Sequence, residues 1–306
     1  MAYVVFSHGL DNKPSQDYLC ALWKRKLAHD DGIDIDASGV ASTLHYWADV
    51  LYPEPDANLA AYERTGEDFC GLDSPVDLRA IPFTGDDRVR RLALALGVDP
   101  EQLYDDQPTA EQIEAVRAER VPVPPWLRKR IMARLVRDAH HYFFNLEFSP
   151  RPGTTYRVRD ELRRRFISCL ESGANNRPLV VVSHSMGTII AYDCLANEPT
   201  CPPIDGLMTI GSPLGLDEVQ DFFPNWTRES GFPSSKLHGP WVNVYDPLDI
   251  VCGADPRLAN DFRRGSDILI DDIRQDNWGY WRHSISKYLQ GSELRHWLVR
   301  MLDIES

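Results

Sequence analysis

The stretch LVVVSHSMGTIIAYDCL, residues 179–195, decides the fold. The apolar run Leu179 to Val182 leaves no polar face, as expected of a strand buried on both sides in a parallel sheet sandwiched by helices. A turn of small residues follows, Ser183-His184-Ser185-Met186-Gly187, and an apolar helix is expected to begin at once, over 186–196. A serine held on a strained strand-to-helix turn exposes its hydroxyl above the sheet, which requires small residues two positions before and after it. Ser183 and Gly187 meet that requirement. The helix N-terminus also brings a positive dipole end close to Ser185.

Working outward, further strands are expected at 3–8, 39–47, 204–212, 239–246 and 266–273, with helices at 16–29 and 292–303. In the first helix Leu19, Leu22, Trp23 and Leu27 share one side. The alternation describes an α/β protein with a doubly wound, mostly parallel sheet, whose strand order is not legible in the sequence. Residues 52–150 are far longer than a crossover needs. Turn signals at YPEPD and VPVPPW and helix patterns at 87–97, 109–119 and 125–144 lead us to expect an inserted helical cap there, with 1–51 and 151–306 forming the core.

Composition narrows the function classes. The 306 residues carry 46 acids against 33 bases, a net charge of −13, which argues against a nucleic-acid partner. The basic runs at 128–137 and 157–165 read as solvated helix faces. The six cysteines, at 20, 70, 169, 194, 201 and 252, form no CxxC pair and read as free thiols in a reducing compartment. Met1-Ala2-Tyr3 runs directly into an apolar strand without a charged leader, so the expectation is a cytoplasmic protein. No uninterrupted apolar window of about 18 residues suggests a transmembrane helix.

The elbow around Ser185 resembles that of the α/β-hydrolase superfamily, in its lipase- and esterase-like branch. The usual GxSxG motif has Ser183 in place of its first glycine. Three further segments fit in the same chain order. FSHGLDN (6–12) resembles the family's oxyanion-hole strand end, which implies that the Leu10 amide pairs with that of Met186. WVNVYDPLDIVCGADP (241–256) resembles the segment carrying the acid; Asp249 matches its context best, and Asp246 at the strand end is the alternative. NWGYWRHSISKYL (277–289) resembles the catalytic-histidine segment through its H-S-x-x-x-Y spacing, which implicates His283. His8 and His184 read as structural, and His296 as a surface or packing residue. The resemblance covers 3–47 and 155–303.

It implies a serine hydrolase acting on a carboxylic ester through Ser185, His283 and Asp249 and an acyl-enzyme, with a small acyl ester or lipid as substrate. Phospholipase, thioesterase or acyltransferase chemistry on the same triad is the alternative, as is a non-catalytic module of the same fold. No metal or organic cofactor is expected: HExxH, GxGxxG and Walker patterns are absent. Contact with a membrane surface is left open but not indicated, and the sequence does not specify an oligomer. DAHHYFFNLEF (138–148) and VPVPPW (121–126) either line an acyl pocket or pack the cap onto the core.

Overall fold

A computed structural model describes residues 1–65, 87–98, 109, 111, 112, 115, 124–252 and 255–304. Six strands form one sheet: β1 (Tyr3–Ser7), β2 (Ala41–His45), β5 (Leu179–His184), β6 (Gly206–Ile210), β7 (Trp241–Tyr245) and β8 (Ile270–Arg274). Their order is β2-β1-β5-β6-β7-β8, and every neighbouring pair is parallel. A separate antiparallel hairpin, which the sequence reading did not anticipate, pairs β3 (Glu147–Arg151) with β4 (Thr154–Arg157).

The helices are α1 (Gln16–Ala28), α2 (Ala48–Leu51), α3 (Leu59–Thr65), α4 (Arg88–Ala95), α5 (Pro125–Phe143), α6 (Val158–Gly173), α7 (Met186–Asn197), α8 (Asp217–Gln220), α9 (Ile285–Gln290) and α10 (Ser292–Leu302). The helix expected over 109–119 lies largely outside the described residues, as does Cys70. No helix among the described residues is long and apolar enough to cross a membrane.

The central strands are apolar on both faces because both faces are covered. Along β5, Leu179 and Val181 join one hydrophobic cluster, while Val180 and Val182 join the other. On β1, Val5 goes to the first and Val4 and Phe6 to the second, the period of two that a pleated strand imposes. Residues of α4, α5, α6 and α7 fill the first cluster; α1, α9 and α10 supply the second.

Helix α5 belongs to the first of these cores. Leu127, Ile131, Leu135, Val136, Ala139 and Tyr142, spaced along one face, are buried in the same cluster as Phe166 of α6 and Ile189 of α7. Pro125 opens the helix, where a missing N–H costs nothing. Asn145 ends it in the left-handed region (φ 49°), its N–H donating to the Tyr142 carbonyl and that of Leu146 to His141, a Schellman closure.

The basic runs depart from the expected solvated faces. Arg130 and Arg134 of α5 are buried. Arg163 of α6 pairs with Asp193 at 2.7 Å, and Arg165 with Asp49 and Glu161. Asp193 is itself buried, and a buried carboxylate in an acidic chain needs a cation beside it.

The strand order reverses between β1 and β5: the chain leaves β1 toward β2 on one side and builds β6, β7 and β8 on the other. At such a switch point the loops after the two strands diverge and leave a crevice above the carboxyl ends. Ser7 and Ser183 are in register there, so the His8–Leu10 turn and the Ser185 turn emerge side by side.

Candidate active site

Ser185 lies between the end of β5 and the first residue of α7, with φ 54° and ψ −127°. A non-glycine residue in this region costs about 1–3 kcal/mol and persists only where its surroundings enforce it. Here they do. The Ser185 N–H donates to the Ile210 carbonyl at 3.0 Å. Its own carbonyl accepts both the Thr188 N–H (2.9 Å) and the Thr188 hydroxyl (2.7 Å).

The flanking small residues have separate reasons. A Cβ on Gly187 would stand 2.6 Å from the His8 carbonyl oxygen and 2.7 Å from that of Ser7, so α7 crosses the end of β1 too closely for a side chain. At the other position a serine is accommodated because the Ser183 hydroxyl donates to the Met208 carbonyl at 3.2 Å. On the neighbouring turn, a Cβ on Gly9 would lie 2.7 Å from the Ser185 Cβ.

Of the two candidate acids, Asp249 meets the histidine. His283 Nδ1–H is shared by both Asp249 oxygens, at 3.0 and 2.8 Å. The Val251 amide and the Tyr288 hydroxyl also donate to this carboxylate, at 2.8 and 2.9 Å. Burial alone would raise the Asp249 pKa; the His283 ring and these donors outweigh it and hold the carboxyl below its ordinary range. Asp246 instead accepts the Leu248 and Asn277 amides, both at 2.7 Å, and faces Arg282. Burial raises its pKa against the pull of those amides.

Ser185 Oγ and His283 Nε2 are both buried, and neither has a hydrogen-bond partner among the described residues, the other included. In a neutral His283 ring, giving Nδ1–H to Asp249 leaves Nε2 as the acceptor. Gly211, at φ 54°, lets the main chain after β6 approach this pair, where a Cβ would sit 2.9 Å from Asp249 Oδ2 and 3.1 Å from His283 Nδ1.

The other histidines named above occupy supporting positions. His184 Nε2–H donates to the His283 carbonyl at 3.0 Å, and the two rings lie 4.5 Å apart. Burial, with His283 and Lys13 nearby, pushes its pKa well down, so it stays neutral. His8 Nδ1–H donates to the Gly9 carbonyl at 2.8 Å, and its Nε2 accepts the Trp47 amide at 3.0 Å. The Gly9–Leu10 peptide plane, and with it the direction of the Leu10 N–H, is thereby pinned. Neither the Leu10 nor the Met186 amide hydrogen-bonds to another described residue. His296 is exposed on α10, away from these groups.

Two contacts escaped sequence reasoning. Asp11, at φ 74°, forms a buried ion pair with Arg134 of α5 at 3.0 Å. Tyr288, within the quoted histidine segment, reaches Asp249; the motif marked its position but not its partner. Among the described residues no group of three or more histidine, cysteine, aspartate or glutamate side chains is placed to hold a metal ion. No protein-family model matches the chain, and no curated protein shows significant sequence similarity to it.

Proposed function

We propose that the chain is a serine hydrolase of the α/β-hydrolase type that cleaves a carboxylic ester through Ser185, His283 and Asp249. The observation that carries this reading is the strained elbow at Ser185, next to a His184 ring that packs on His283, a histidine whose Nδ1–H is fixed on a buried carboxylate and whose Nε2 has no partner among the described residues. The sheet order supports it: nucleophile, acid and histidine follow β5, β7 and β8, in the chain order of that superfamily. Residues 52–150, which end within β3, are then an insertion between the second core strand and α6.

In the reaction, His283 Nε2 takes the Ser185 proton as Oγ attacks the ester carbonyl. Asp249 holds the imidazolium that forms and remains ionised. The Leu10 and Met186 amides receive the oxyanion, and a buried site makes two such donors worth more than they would be in water. The alcohol leaves with the proton from His283, and water, deprotonated by the same nitrogen, resolves the acyl-enzyme.

A fluorophosphonate probe tests this directly. Wild type should label and Ser185→Ala should not; absence of labelling in wild type, or equal labelling in the variant, removes the nucleophile. Nitrophenyl esters of graded chain length, run beside phospholipid and thioester substrates, assign the leaving group.

A further inference from the structure

Tyr288 stands at the centre of the acid loop. Its side chain is fully buried on α9, and its hydroxyl touches both aspartates in different ways. The oxygen accepts the Asp246 main-chain N–H at 2.8 Å. A phenol has one proton, and with its lone pair engaged by that amide, the proton is directed to Asp249 Oδ2 at 2.9 Å.

Asp249 therefore accepts from Val251 N–H, Tyr288 O–H and His283 Nδ1–H, an arrangement only an ionised carboxylate satisfies. We infer that Tyr288 is a positioning residue of this site, one that uses the Asp246 backbone as an anchor to orient the Asp249 carboxylate and to set how strongly it holds the proton on His283. The inference rests on the triad reading above.

The direction of its effect follows from charge. Each donor to a carboxylate withdraws negative charge from the oxygen facing the imidazole. Tyr288 donates to Oδ2, the oxygen nearest His283 Nδ1. Removing that donor makes Asp249 a stronger acceptor for the His283 Nδ1–H. A more acidic phenol at the same position does the reverse.

Other titratable and charged groups lie around this hydrogen bond. His184 packs its ring on His283, Arg282 pairs with Asp246, Cys252 lies against Asp249 and Tyr288, and Lys13 acts through His184. Cys252 and Tyr288 are both pushed well up, chiefly by burial, and His184 well down, so none of these three changes charge near neutral pH.

The test is the NMR resonance of the His283 Nδ1 proton in nitrogen-15 histidine-labelled protein at one fixed pH, assigned by a His283→Gln variant. Tyr288→Phe should move that proton downfield, as a stronger hydrogen bond to Asp249 requires, with KM changing less than about twofold. Site-specific 3-fluorotyrosine at 288, which preserves the packing, should move it upfield and covers the case in which the phenylalanine variant does not fold. An unmoved resonance in a folded variant, or shifts in the same direction for both substitutions, overturns the inference. A resonance that moves as expected in a protein that fails to label at Ser185 sinks the proposed hydrolase and leaves the Tyr288–Asp249–His283 relay standing.

Discussion

Asp249 holds His283 Nδ1 with both carboxylate oxygens, whereas Asp246, three residues earlier, spends its carboxylate on the amides of Leu248 and Asn277. The two neighbours therefore fail differently when neutralised. Asp249→Asn offers His283 an amide that can favour the wrong tautomer, and should lower kcat on a nitrophenyl ester by roughly 10³–10⁴. Asp246→Asn leaves the acid–base pair intact but loses one of its two amide contacts, a stability loss of about 1–3 kcal/mol. Parallel measurements of kcat and Tm separate them, and a larger kcat loss in Asp246→Asn would reverse the assignment.

Sequence reading reached the elbow because its physics is local. A strand buried on both faces, a turn of small residues and an apolar helix are all written in residues 179–195. The choice between the two aspartates was not local. It depends on where the Tyr288 hydroxyl and the His283 ring arrive after β8 and α9 have packed. The basic face of α5 misled for a related reason: Arg134 is buried because Asp11, 123 positions away, needs a counter-ion. The β3–β4 hairpin alternates only between exposed and half-buried positions, none fully buried, so periodicity had little contrast to find.

Gly187 offers a test of the elbow itself. The atoms that a Cβ would strike are the His8 and Ser7 carbonyl oxygens, main-chain groups that cannot swing aside. Gly187→Ala should push α7 away from the end of β1, lower stability by about 1–3 kcal/mol as overpacking does, and slow fluorophosphonate labelling even well below Tm. Labelling at the wild-type rate would mean that the elbow tolerates displacement and that the proposed oxyanion geometry is wrong.

The Asp11–Arg134 pair ties α5 to the loop that carries Leu10. Asp11 also accepts the Tyr52 hydroxyl at 3.2 Å and the Asn12 amide at 3.0 Å, so its carboxylate is held from three sides. Arg134→Met leaves that carboxylate buried without its cation, which should cost about 3–5 kcal/mol. The double variant Asp11→Asn with Arg134→Met should recover much of the stability. Because Leu10 precedes Asp11, the single variant should also lower kcat more than it raises KM. Additive stability losses in the double-mutant cycle would show that the two side chains are not coupled.

Acid stability provides the last prediction. His45 is buried between the Ser7 hydroxyl, at 2.9 Å from Nδ1, and the Leu162 carbonyl, at 3.1 Å from Nε2, and desolvation lowers its pKa to about 3. Burial likewise lowers His140 to about 4 and holds His8 and His184 well down. Unfolded, each titrates near about 6.5. Above that pH these histidines are neutral in both states and add no pH dependence. Below it the unfolded chain takes up protons that the folded chain refuses, so stability falls with pH until the folded values are reached, at a limiting slope of about 1.4 kcal/mol per unit for each histidine. The depressed Asp249 acts in the same direction at lower pH, and the raised Asp246 opposes it. Unfolding free energy measured by denaturant should stay level down to about pH 7 and then drop steadily to about pH 5, and His45→Gln, which can keep both hydrogen bonds, should flatten that slope by up to one proton's worth. A pH-independent free energy, or an unchanged slope in His45→Gln, would mean that these buried rings take up protons without unfolding the chain.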